Sequence, residues 1–129
     1  MTKLPDNLIS EIGKTGYDVE GWSPKNHLSS VKSIDIGVPD AKLYIYIGIS
    51  IENKLEIEIK PLYVFDTYNG GLEPIKEIQI IEEEDVNNLD YIIKLINRME
   101  RLVLSKMLNQ VNTIQAKLND ILNKRSSIY

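Results

Sequence analysis

The chain has 129 residues and a mass of 14.8 kDa, one domain's worth of polypeptide. With 43% hydrophobic and 26% charged residues and a formal net charge of -4, it has the material for a core and lacks the signature of a disordered chain. A pI near 5.0 argues against a general nucleic-acid binder, and zero cysteines exclude disulfides, thiolate catalysis and Cys-ligated zinc.

Leu4, Leu8, Ile9 and Ile12 fall at helical spacing, Pro5 suits a first turn, and Gly13 and Gly16 are stop signals, which predicts a short helix over residues 4–14. The same segment places Pro5, Asp6 and Glu11 where a secretory leader would have an unbroken apolar run. No stretch of the sequence approaches the roughly twenty apolar residues of a membrane span. The expected location is the cytoplasm, with no membrane partner. Residues 17–30 read as an irregular connection, rich in Gly, Ser, Pro and Asn, that Trp22 pins to the core. His27 is the sole histidine and cannot build a His-based zinc site by itself, so neither a metal nor a cofactor is expected.

Strand patterns follow. Ile34, Ile36 and Val38 alternate with polar residues before a Pro39-Asp40 turn. Leu43, Ile45, Ile47, Ile49 and Ile51 then form an unbroken period-2 row, with Tyr44 and Tyr46 on the opposite face. Leu55, Ile57 and Ile59 repeat the pattern against Lys54, Glu56, Glu58 and Lys60, and Glu52-Asn53 between the two runs predicts a two-residue hairpin. Pro61 implies an edge or a bend, Leu62 to Phe65 continue the strand, and Tyr68-Asn69-Gly70-Gly71 is a turn signal. Ile75, Ile78, Ile80 and Ile81 predict a further strand, closed by the acids Glu82 to Asp85.

From Val86 the period becomes 3.6, and no Gly or Pro occurs before Arg125. Asp85 or Asn88 can cap this helix, with the acids at its positive end and Lys117, Lys124 and Arg125 towards the other. The fold class expected is therefore α+β. An antiparallel meander of four or five strands is covered by a long C-terminal helix, with a short N-terminal helix beside it. A single domain is expected over 1–129, with 1–84 supplying the first helix and the sheet and 85–125 the long helix.

A helix of some forty residues spans about 60 Å, whereas a ten-residue strand covers about 33 Å. Leu89, Ile92, Ile93, Ile96, Met99, Leu102 and Val103 form a broad stripe suited to covering the sheet. Beyond it, Leu104, Met107, Val111, Ile114, Leu118 and Ile121 follow 3-4-3-4-3 spacing, the a/d pattern of a coiled coil. Between Met99 and Met107 the steps are 4 and 4, which shifts the seam where the helix is expected to leave the sheet. An exposed aliphatic seam requires a cover. The candidate covers are the same segment of a second chain, in a homodimer or larger assembly, the N-terminal helix of this chain, or another protein. The alternative is a break near Ser105 that folds the tail back on itself. The function expected is thus a non-enzymatic interaction or structural one, exercised through the distal half of the helix.

Asp35 or Asp40 followed by Glu58-Ile59-Lys60 resembles the signature of the metal-dependent PD-(D/E)xK nucleases. The resemblance implies that an Asp and a Glu hold Mg²⁺ while a strand-borne Lys assists phosphodiester cleavage, and that Glu11 supplies the acid of a preceding helix. The charge alternation of Lys54, Glu56, Glu58 and Lys60 equally fits a solvated strand face. Pro61, moreover, stands where that family continues into a helix. Tyr44 and Tyr46 on the outer face read either as a contact surface or as strand formers on a half-exposed sheet.

Overall fold

A computed structural model of the chain describes residues 4–22, 26–37, 39–62 and 75–126. Helix α1 spans Asp6–Lys14 and buries Leu8, Ile9 and Ile12. Pro5 stands at its N-cap, outside the first turn, and Gly13 lies within the helix. The stop comes at Gly16, whose φ of 111 is a backbone conformation that L side chains rarely adopt.

Four strands follow, β1 (His27–Ser33), β2 (Lys42–Ile49), β3 (Leu55–Leu62) and β4 (Glu77–Ile81), in one antiparallel meander of order β1-β2-β3-β4. The fold class is the α+β architecture the sequence predicts, with four strands among the described residues. Isoleucines register across the centre, Ile45 opposite Ile59 and Ile47 opposite Ile57, and all four are fully buried. Pro61 pairs with Leu43 on one side, while β4 ends at Glu77 opposite Ile59. Among the described residues the proline therefore sits where β3 has no strand on its other flank, and its missing N–H takes nothing from the β2–β3 or β3–β4 ladders.

Several local expectations are corrected. The segment read as irregular contains most of β1, and the alternation assigned to 34–38 lies past its end. The core-facing residues of β1 are Leu28, Ser30 and Lys32, so only one apolar side chain marks the strand. Ile36 is exposed and Gly37 has a φ of 76, which turns the chain out of the sheet; Val38 lies outside the described residues. In the β2–β3 hairpin, Ser50 N–H donates to the Lys54 carbonyl at 2.8 Å and Asn53 N–H to the Ser50 carbonyl at 2.9 Å. Three residues, Ile51-Glu52-Asn53, thus form the loop, with Asn53 at a φ of 61 in the left-handed position that a three-residue connection requires. The expected continuation through Phe65 and the turn at Tyr68 to Gly71 lie outside the described residues.

Helix α2 spans Leu89–Ser126, 38 residues, and runs unbroken through Ser105. It starts later than the sequence pattern suggests. Glu83–Asp85 form a 3-10 turn of their own, so the acids precede the helix by a turn and do not sit in its first one. Asn88 is the cap, its Oδ1 accepting from Tyr91 N–H at 3.2 Å. Both helices pack on the isoleucine face, where α1, the sheet and the proximal part of α2 share one core. Leu95, which the predicted stripe omits, is buried, whereas Leu102, which it includes, is exposed. Among the described residues no helix is long and apolar enough to cross a membrane.

One polar cluster lies within this layer. Lys32 reaches inward from β1, passing over the Tyr17 ring at 4.8 Å from its centroid. It donates to Glu100 of α2 at 2.9 Å and to the Thr15 carbonyl at 3.2 Å. A Cβ at position 16 would press on the Lys32 stem, so glycine there both ends α1 and clears the lysine's path. Glu100 is buried, and the Tyr17 hydroxyl is buried beside it without closing a hydrogen bond of normal geometry. Burial pushes the Tyr17 phenol well above its usual range, and the negative charge of Glu100 pushes it further.

Two measurements check this architecture. Ile80→Lys, on the solvent side of β4, should cost less than about 1 kcal/mol in urea unfolding, against about 2–5 kcal/mol for Ile81→Ala on the core side. The phenol of an unfolded chain ionises near pH 10, while native Tyr17 keeps its proton. Stability should therefore fall as pH rises above about 10, and Tyr17→Phe should flatten that slope in urea titrations at pH 8 and 10.5.

Candidate interaction surface

The proximal half of α2 is held by its own fold. Ile92, Leu95, Ile96, Met99, Val103 and Met107 are buried along one face, and Met107, at 5% exposure, is the last of them. Met107, placed in the distal seam by its spacing, is thus covered by its own chain. Past it the helix continues for nineteen residues, 108–126, or about 28 Å. Ile114 is half-buried, whereas Leu104, Val111, Leu118 and Ile121 are exposed, Leu118 at 55%.

Two further leucines, Leu108 and Leu122, lie on the same stripe, and Leu122 is 60% exposed. A template of two apolar positions per heptad has no place for them; they flank it at i+4 from Leu104 and Leu118. The distal stripe is consequently broader than a coiled-coil seam and offers a surface about three residues wide. Polar and charged residues occupy the back of the rod, including an Asp120–Lys124 pair at 3.1 Å.

The residues of the nuclease-like pattern do not converge. Asp35 and Asp40 are exposed in the β1–β2 connection. Glu58 and Lys60 lie on the outer face of β3, opposite Tyr46 and Tyr44. Asp40 lies in the turn before β2, whose first residue, Lys42, is already about 13 Å along the strand from Tyr46, the partner of Glu58. Glu11 belongs to the helix layer beneath the sheet and pairs with Lys14 at 3.0 Å. Among the described residues no three His, Cys, Asp or Glu side chains gather where a metal ion could be held.

The outer sheet face carries its own contacts. The Tyr44 hydroxyl donates to Ser29 Oγ at 3.2 Å, and Lys60 Nζ lies 5.3 Å from the Tyr44 ring centroid. Tyr46 stacks on His27 at 6.4 Å between centroids, and Trp22 meets His27 edge-on at 6.3 Å. Gly48 is required there, because the Tyr46 hydroxyl occupies the space a side chain would fill. At the β4 edge the face changes character: Ile78 and Ile80 stand exposed, the latter at 57%, opposite Glu58 and Glu56 respectively. The sequence alone does not assign that pair a side, because Ile75, Ile78, Ile80 and Ile81 give no clean alternation. Comparison of the chain with protein-family models, with curated proteins and with solved structures finds no match.

The division of α2 into a supported and an unsupported half has a measurable consequence. In dilute solution Met99→Ala should cost about 2–5 kcal/mol of unfolding free energy, because it opens a cavity in the core. Leu118→Ala should change it by less than about 0.5 kcal/mol, since Leu118 is largely exposed.

Proposed function

We propose that the chain is a non-enzymatic interaction protein that assembles through the distal half of α2, with a second copy of itself as the expected partner. The observation that carries this reading is the exposed stripe of Leu104, Leu108, Val111, Leu118, Ile121 and Leu122 on a helix that outruns its own sheet. Fully burying such side chains is worth about 1.5–3 kcal/mol each, so half-exposed they leave a large driving force for association.

Helix propensity adds a second support. Asn109, Asn112, Thr113, Asn119 and Asn123 are weak helix formers, and an isolated helix of this length is marginal in water. Docking against a partner supplies what propensity lacks. The metal-dependent nuclease alternative draws no support from the separated positions of Asp40, Glu58 and Glu11.

Sedimentation velocity tests the proposal. The free protein should form a dimer or larger species at micromolar concentration, and Val111→Asp combined with Leu118→Asp should reduce it to a folded monomer. A monomer that persists at high concentration with its helical circular dichroism intact overturns the reading.

A further inference from the structure

Three features of the molecule fit one another. The first is length: the projecting 108–126 segment of α2 measures about 28 Å, and the eight-residue strands β2 and β3 measure about 26 Å. The second is shape: among the described residues no helix covers the outer sheet face, while the opposite face is already filled by α1 and α2. The third is charge. Residues 104–129 contain four basic side chains and one acid, a net +3, whereas residues 1–103 contain eleven basic and eighteen acidic ones, a net -7.

The charges are placed to use this asymmetry. Lys117 and Arg125 each sit one helical turn from Ile121, on either side of it along the rod and beside the stripe of Leu118 and Leu122. On the sheet, exposed Ile78 and Ile80 of β4 stand against Glu58 and Glu56 of β3. An apolar row flanked by cations thus has its complement in an apolar row flanked by carboxylates.

Resting on the proposed self-association, the geometry points to a head-to-tail contact in which the distal rod of one copy lies on the outer sheet face of the next. The rod cannot reach its own outer face, because α2 is unbroken and lies in the layer on the other side of the sheet. A second copy supplies that face. The contact buries Ile78 and Ile80 along with the rod's leucines, whereas rod-on-rod pairing would leave both isoleucines in water. It also closes the two-layer sheet into a three-layer helix–sheet–helix sandwich, a standard way of covering both faces of a sheet. Such a contact is heterologous: each added copy presents a fresh rod and a fresh face, so assembly proceeds to a ring or an open chain and does not stop at two.

Charge reversal separates this arrangement from rod-on-rod pairing. Glu56→Lys with Glu58→Lys alters the face alone, and Lys117→Glu with Arg125→Glu alters the rod alone. Each variant by itself should lose at least roughly tenfold in self-association by sedimentation velocity. An equimolar mixture of the two should associate again, because each altered surface then meets a complementary one. Wild-type protein should show species larger than a dimer that grow with concentration. Should the face variant lose the wild-type circular dichroism, Ile80→Lys takes its place and is read in the same way.

If the face variants associate as the wild type does while Val111→Asp with Leu118→Asp abolishes association, the head-to-tail contact is overturned and self-association through the rod stands. A discrete wild-type dimer insensitive to the face variants likewise overturns the head-to-tail contact and leaves the rod as the dimer interface. A wild-type monomer at all concentrations overturns both.

Discussion

Everything distinctive about this molecule follows from a mismatch of lengths. Four strands of five to eight residues present one isoleucine face, and a 38-residue helix lies across it. The face is fully used: Ile45, Ile47, Ile57 and Ile59 are buried, and Ile92, Ile96 and Met99 of α2 fill the space against them. Among the described residues no comparable surface is left for the second half of the helix. The cost of that arrangement is a row of aliphatic side chains standing in water.

What fixes the direction of α2 is polar as well as apolar. Lys32 enters from an edge strand, and Glu100 meets it from the proximal half of the helix, 68 residues away in sequence. A buried pair of this kind adds little to stability compared with an apolar replacement, but losing one partner strands the other charge in the interior. The pair thereby joins β1 to α2 at one defined contact within the apolar layer. Tyr17 and the Thr15 carbonyl complete the cluster, so the ends of α1 and β1 and the proximal half of α2 are tied at one point.

The parts of this fold that are legible in the sequence are those written in hydrophobic period. The row from Leu43 to Ile49 and its mirror from Leu55 to Ile59 mark β2 and β3, and the change to a 3.6 period marks α2 as one long element. What the pattern hides depends on contacts across the sheet. β1 faces the core with Ser30 and Lys32, whose fitness for that position is visible only once Asp18 and Glu100 are opposite them. The hairpin loop is one residue longer than its sequence suggests because Asn53, not Gly, takes the left-handed position. Exposure on the distal helix follows from spacing for Val111 and Leu118, whereas Leu108 and Leu122 fall outside the heptad template. The exposed pair Ile78 and Ile80 needs the β3–β4 register to assign it a side.

Continuity of α2 also makes it a mechanical element. No glycine or proline interrupts the backbone from residue 89 to 126, so the helix bends little and transmits rotation from one end to the other. A tilt of about 10° where the helix leaves the body would displace the tip by about 5 Å over the projecting 28 Å. Small adjustments in how Ile92, Ile96 and Met99 seat inside the body are thereby magnified into a larger displacement of the far end.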